Sequence, residues 1–218
     1  MAEPDPVVTL EVYLDRWSAA HGGFDPRGSV WSRVWLTLTY RLARPLARLG
    51  VAPHAVTAAG LAVTALVPAL VWAGRPVAAA AAVLLAGLLD SLDGAVALLT
   101  GRATPSGYVL DSVADRIGEA LLVAALWLLG APGRLCVLAA ALAWLLEYTR
   151  ARAVGAGLRE IGVVTVWERP TRLAVTGAGL LLAAFVPATV TAAVWAVLGA
   201  VGLAQLSRAL RRRLSAPR

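Results

Sequence analysis

Residues 54–209 consist of six apolar stretches, each close to the ~20 residues an α-helix needs to cross a bilayer. In hydrocarbon the backbone finds no water, so such segments must satisfy their own N–H and C=O groups, as a helix does. The stretches fall at 54–73, 77–99, 108–130, 132–152, 170–187 and 189–209. Turn-forming residues separate them: Gly74-Arg75-Pro76, 100–106, Ala131-Pro132-Gly133, 155–169 and Val186-Pro187-Ala188. Hydrophobic residues make up 59% of the chain, charged residues 15%, and mean hydropathy is +0.73, which excludes an ordinary soluble domain. The expected fold class is an all-α integral membrane protein with six transmembrane helices. Glycines inside the spans (Gly60, Gly87, Gly118, Gly177, Gly199) allow helices to approach closely.

Upstream of the spans the pattern changes. Trp31, Val34, Trp35, Leu38, Leu42 and Leu46 recur at helical spacing, with Arg33, Arg41, Arg44 and Arg48 largely between them. This predicts an amphipathic helix over 30–49 lying in the interface, with aromatics and arginines at headgroup depth. Residues 1–29, with Pro4, Pro6, Gly22, Gly23, Pro26 and Gly28, read as a loosely packed cytoplasmic segment without the apolar core of a signal peptide. On this reading 30–210 is the membrane domain and 211–218 a basic cytoplasmic tail.

The net charge is +7, and all 20 basic residues are arginine. Their placement is lopsided. Arg16, Arg27, Arg33, Arg41, Arg44 and Arg48 precede the first span, and Arg102 lies in the second separator. Arg150, Arg152, Arg159, Arg169 and Arg172 crowd the fourth, and Arg208, Arg211, Arg212, Arg213 and Arg218 end the chain. The other side carries only Arg75 and Arg134. The positive-inside rule therefore puts both termini on the cytoplasmic side. The terminal arginines suit anionic headgroups. No aromatic or fold signal points to nucleic acid, so none is expected as a partner. The single cysteine, Cys136, lies in an apolar run and is expected in the core.

Against this apolar background four aspartates stand out. Asp90 and Asp93 are spaced i,i+3 on one expected span, Asp111 and Asp115 i,i+4 on the next. Each pair therefore occupies one face of its helix. Carboxylates at bilayer depth are expensive and mark function. Two such faces turned together make a cage of hard oxygen ligands, suited to Mg²⁺ or Mn²⁺, and metal at a membrane points to phosphate chemistry. A purely structural role would pair the acids with Arg102 or Arg116, but two arginines cannot neutralise four carboxylates, and buried pairs are a poor source of stability. Arg116 and Glu119 are expected to pair with each other at i,i+3.

Residues 90–115 read D-S-L-D-G-A-V-A-L, eight residues, then G-Y-V-L-D-S-V-A-D. This resembles the motif of the CDP-alcohol phosphotransferases, D-x-x-D-G-x-x-A-R, eight residues, then G-x-x-x-D-x-x-x-D. Asp90, Asp93, Gly94, Ala97, Gly107, Asp111 and Asp115 match it, and Leu98 stands where the family has arginine. An interfacial helix followed by six spans is also the family architecture. The resemblance implies transfer of a substituted phosphate, here from CDP-diacylglycerol, to a hydroxyl acceptor with release of CMP, in phospholipid synthesis at the cytoplasmic face of a bacterial plasma membrane. Asp90, Asp93, Asp111 and Asp115 are the expected ligands of two Mg²⁺ or Mn²⁺ ions. Ions ~4 Å apart would bridge the diphosphate oxygens and offset the charge on the leaving phosphate. Asp115 is the expected base, taking the proton from the acceptor hydroxyl. Gly94 and Gly107, without side chains, would let cytidine and phosphates approach the backbone. Ala97, Thr57 and Arg102 complete the expected nucleotide contacts; Arg102 would stand in for the arginine missing at Leu98 if its helix continued that far.

Further positions follow from the same resemblance. Pro53-His54-Ala55-Val56-Thr57 stands where many members have P-N-x-x-T, so His54 is either a nucleotide contact or a helix-capping residue. Basic clusters in members with a sugar-phosphate acceptor line the acceptor pocket, which makes Arg150, Arg152, Arg169 and Arg172 acceptor candidates; as plain cytoplasmic anchors they need no such role. A small alcohol acceptor and a homodimer are implied, and the acceptor's identity is left open among polyol phosphates, serine and a second lipid. Two rival classes remain: a catalytically altered or inactive CDP-lipid-binding paralogue, suggested by Leu98, and an ion- or proton-coupled transporter, suggested by intramembrane acids. Repeated halves or broken helices, which a transporter would favour, are not visible in the sequence.

Overall fold

Prolines open and glycines close most of the helices in the computed structural model of the chain, which describes residues 8–158 and 164–214. Pro4, Pro6, Arg159 and Arg218, used above to read the termini and the basic side, lie outside the described residues. Eight α-helices and one 3-10 turn (Pro26–Gly28) are the regular elements among the described residues, with no strand among them. In chain order the helices are α1 (Leu10–Ala20), α2 (Val30–Arg48), α3 (Pro53–Trp72), α4 (Pro76–Thr100), α5 (Pro105–Leu128), α6 (Gly133–Gly155), α7 (Arg169–Leu181) and α8 (Ala188–Leu214). Pro53, Pro76 and Pro105 suit the first turn because their fixed φ is helical and an N–H there would have no helical acceptor. α4 ends on Gly101 (φ +64°), and the Arg102 N–H folds back to the Ala97 carbonyl at 3.0 Å. This left-handed stop satisfies an end carbonyl that the helix itself cannot.

Every expected span contains a helix. α3, α4 and α8 are long and apolar enough to cross a membrane by length and composition. α5 and α6, of 24 and 23 residues, have the length but carry charges, Asp111, Asp115, Arg116 and Glu119 on α5 and Arg134, Glu147, Arg150 and Arg152 on α6. α7 departs from expectation: 170–187 was predicted as one span, yet the helix has 13 residues and ends at Leu181, followed by turns. Pro187, next in line, constrains the residue before it away from helical geometry.

Residues cluster into two units: Met1–Gly60 with Leu88–Val113, and Leu61–Gly87 with Ala114–Arg218. The first contains α1, so residues 10–20 form a packed helix where the sequence predicts loose packing; residues 1–7 of that segment lie outside the described residues. Thr9 caps α1 by accepting from the Val12 N–H at 3.4 Å, and Tyr13 and Leu14 are each 1% exposed. They pack with Leu36, Tyr40 and Ala43 of α2 and with Leu92, Ala95 and Val96 of α4. Tyr13 Oη shares a hydrogen bond with Thr39 Oγ1 at 3.2 Å, and Tyr40 Oη donates to the Val8 carbonyl at 2.9 Å. Burial raises the Tyr13 phenol pKa, with the Thr39 bond opposing it. Arg27 ties the segment together through Glu11 and Asp15. α2 turns Leu36, Thr39, Tyr40 and Ala43 inward, while Trp31, Val34, Trp35, Leu38 and Leu42 remain exposed.

The second unit is built on close contact of α6 with α8, and α7 also packs on α8. Trp167 and Trp195 are fully buried edge to face, with ring centroids 5.1 Å apart, and Trp195 Nε1 donates to Thr176 Oγ1 at 3.0 Å. Cys136 is buried in this core, as expected.

Candidate metal and phosphate site

α4 carries Asp90 and Asp93 one turn apart in the first unit, and the first turns of α5 bring Asp111 into the same unit. One carboxylate oxygen of Asp90 and one of Asp111 lie within 4.8 Å of each other. Asp115 is the next position on the same face of α5. The donors are all carboxylate oxygens, the set that hard divalent cations prefer. Asp93 is held differently. It is 6% exposed, and Thr57 Oγ1 donates to its Oδ2 at 2.7 Å. Thr57, expected as a nucleotide contact, thus stands behind a carboxylate.

The two motif glycines are glycines for different reasons. A Cβ on Gly94 would meet nothing within 4 Å, so the backbone beside Asp93 is open. A Cβ on Gly107 would come within 3.0 Å of His54 Cε1 and 3.2 Å of Thr104 Oγ1. The imidazole of His54 therefore occupies the space that the missing side chain vacates. Ala97 lies one turn beyond Asp93 on α4 and is half-buried. Arg102 does not extend α4, because the helix stops before it; its side chain is exposed beyond Gly101. Another arginine reaches the Leu98 position: Arg16 of α1 donates from Nη1 to the Leu98 carbonyl at 2.7 Å. Sequence reasoning missed this contact, which joins residues 82 positions apart.

In the second unit, Asp115 lies against two guanidinium groups. It pairs with Arg169 from the start of α7, and Arg116 Nη2 is 3.8 Å from its Oδ2. Arg116 also pairs with Glu119 at 3.0 Å, as the i,i+3 spacing predicts, and approaches Glu147 at 3.8 Å. Arg172 is fully buried; it pairs with Glu119, with Glu147 at 2.8 Å, and donates to the Trp167 carbonyl at 2.7 Å. Arg150 makes a forked pair with Glu168 at 3.1 and 2.8 Å. Burial alone would raise the Glu168 pKa, but the Arg150 fork and the Thr165 N–H outweigh it and hold the carboxyl below its ordinary value. Arg152 is exposed on the last turn of α6. Of the four acceptor candidates, Arg150 and Arg172 hold other carboxylates, Arg169 holds Asp115 itself, and Arg152 is exposed. Glu147 and Glu168 were the signals to weigh against those arginines, since each carboxylate needs a cation within its own fold.

The sequence profile described as CDP-alcohol phosphatidyltransferase matches residues 50–205. The chain is similar to a phosphatidylinositol phosphate synthase of Mycobacterium marinum, 36% identical over 150 residues, covering 65% of this chain and 63% of that one. The chain thus spans somewhat under two thirds of the length of the first curated relatives it matches. Its fold is similar to the crystal structure of Mycobacterium tuberculosis phosphatidylinositol phosphate synthase with CDP-DAG bound, at TM-score 0.67 and 28% identity, covering 83% of this chain and 96% of that one. The same enzyme in complex with manganese and citrate gives TM-score 0.68 and 29% identity, covering 79% and 88%.

Proposed function

The chain belongs to the CDP-alcohol phosphatidyltransferase family, and from that membership we propose that it is a metal-dependent transferase of phospholipid synthesis. It moves the phosphatidyl group of CDP-diacylglycerol to the hydroxyl of a small alcohol. The hydroxyl oxygen attacks the phosphatidyl phosphorus, the bond from that phosphorus to CMP breaks, and CMP departs. The observation that carries this reading is the approach of Asp90 to Asp111, with Asp115 one turn further along α5.

Asp90, Asp93, Asp111 and Asp115 would hold two divalent cations, Mg²⁺ or Mn²⁺; a relative of similar fold has been solved with manganese. The chemistry such ions supply when bound is neutralisation of charge on the diphosphate and the leaving CMP. Asp115 receives the proton of the acceptor hydroxyl. Thr57 fixes the orientation of Asp93, and the open backbone at Gly94 leaves room for the donor's phosphates. A phosphorylated polyol is the acceptor we favour, because relatives named phosphatidylinositol phosphate synthase are similar in sequence over part of the chain and because Arg169 lies beside Asp115. Displaced from Asp115, Arg169 could grip an acceptor phosphate, while Arg152 is accessible for a second contact and Arg150 and Arg172 stay engaged with Glu168 and with Glu119 and Glu147.

The setting we propose is the bacterial plasma membrane, with α3 to α8 as six crossings, α2 in the interface and both termini cytoplasmic. The exposed Trp31, Val34, Trp35, Leu38 and Leu42 supply an apolar face for that placement of α2. A homodimer is part of the same proposal, on family grounds. Membranes holding the chain, given labelled CDP-diacylglycerol, inositol phosphate and Mn²⁺, should release CMP. Asp111→Asn should lower that rate by at least about a hundredfold while the protein remains folded; full activity in this variant would refute the ligand assignment.

A further inference from the structure

We infer that Arg16, on α1, binds the diphosphate of the donor in place of an arginine at position 98. The inference rests on the nucleotide-diphosphate reading given above. Leu98 ends the first half of the motif with a side chain that cannot meet an anion. Its carbonyl lies in the last turn of α4, where helical partners run out. Arg16 Nη1 donates to that carbonyl at 2.7 Å. A guanidinium has five N–H donors, so this bond leaves others for a phosphate.

Two features make the position more than a surface contact. α1 is anchored: Tyr13 and Leu14 are each 1% exposed, and they pack with Leu92, Ala95 and Val96 of α4. Arg16, three residues after Tyr13, is therefore delivered to α4 from a fixed helix rather than from a mobile tail. Gly94 lies one turn before Leu98 on the same row of α4, and a Cβ there would meet nothing within 4 Å. On this inference an anion over that open backbone, beside Asp93, is met by the guanidinium bonded to the Leu98 carbonyl one turn further along α4. Arg102 cannot take the role from the helix, since α4 has ended at Thr100.

A helix cap is the competing role, because a cation at carbonyl ends is favourable in itself. Glutamine separates the two. Arg16→Gln loses the charge and retains a neutral N–H donor, two bonds shorter, facing the Leu98 carbonyl. The full chain, purified into phosphatidylcholine nanodiscs with Mn²⁺, is titrated calorimetrically with cytidine diphosphate, and its thermal midpoint is recorded without nucleotide. Arg16→Gln and Arg16→Ala should each weaken CDP binding by about tenfold to a hundredfold, the range for a charged hydrogen bond. Arg16→Gln should keep the wild-type midpoint, and adding Leu98→Arg to Arg16→Ala should recover most of the affinity. CDP binding unchanged in Arg16→Gln, or no recovery in the double variant, overturns the inference and leaves the proposed function standing. Failure of the wild-type chain to bind CDP at all overturns both.

Discussion

Asp93 has one neighbour whose removal is informative. Thr57 Oγ1 donates to a carboxylate that is 6% exposed, and Val at 57 would keep the shape and delete the donor. Groups that orient a metal ligand typically contribute 10- to 100-fold in metal affinity. Thr57→Val should therefore raise the Mn²⁺ concentration giving half-maximal CMP release by about tenfold, with the saturating rate changed much less. Asp93→Asn, by contrast, should remain slow at any Mn²⁺ concentration. A Thr57→Val enzyme with unaltered Mn²⁺ dependence would mean that the bond is merely structural. The aspartates themselves were legible in the sequence because their spacing is local: three or four residues decide a helix face. Their partners were not. Arg172 meets Glu119 across 53 residues and Arg16 meets Leu98 across 82, and nothing in local pattern encodes such pairings.

At the scale of elements, helices were readable where proline, glycine and apolar length agree, as at α3, α4 and α5. α1 was missed although its signal is present: Leu10, Tyr13, Leu14 and Trp17 follow i,i+3,i+4,i+7, masked by the Pro- and Gly-rich residues around them. The end of α7 was misjudged because apolar composition continues past Leu181 while helical geometry does not. α7 is held on α8 by an unusually close approach. A Cβ at Gly179 would collide with the side chain of Thr191, which is β-branched and 5% exposed and so cannot swing aside. Gly179→Ala should destabilise the detergent-solubilised protein by about 1–3 kcal/mol, the usual cost of overpacking. Adding Thr191→Ala should return part of that loss, measurable as a recovery in thermal midpoint. If the single variant is as stable as the parent, α7 and α8 have room to separate.

Topology is the property on which length and charge give different answers for the whole molecule. α7 has 13 residues, about 20 Å of helix at ~1.5 Å per residue, against ~30 Å of hydrocarbon. By length alone it would fall short, leaving five crossings from α3 to α8 and the two termini on opposite sides. The arginines argue otherwise. Arg208 and Arg211 to Arg213 end α8, and moving them across the membrane would oppose the bias that puts basic ends in the cytoplasm. Residues 182–187 are apolar and can make up the missing depth where protein covers their backbone, the condition under which irregular segments survive in a membrane. Six crossings are therefore expected. Cys136 is the only cysteine and is buried, so a Cys136→Ser background permits single cysteines to be introduced and labelled. Cysteines at Ala103 and at Arg211 should react with an impermeant maleimide only in inside-out vesicles, and those at Arg75 and Pro187 only in intact cells. Labelling of the Arg211 position from outside would show that α7 turns back within the membrane and that helix length outweighs charge.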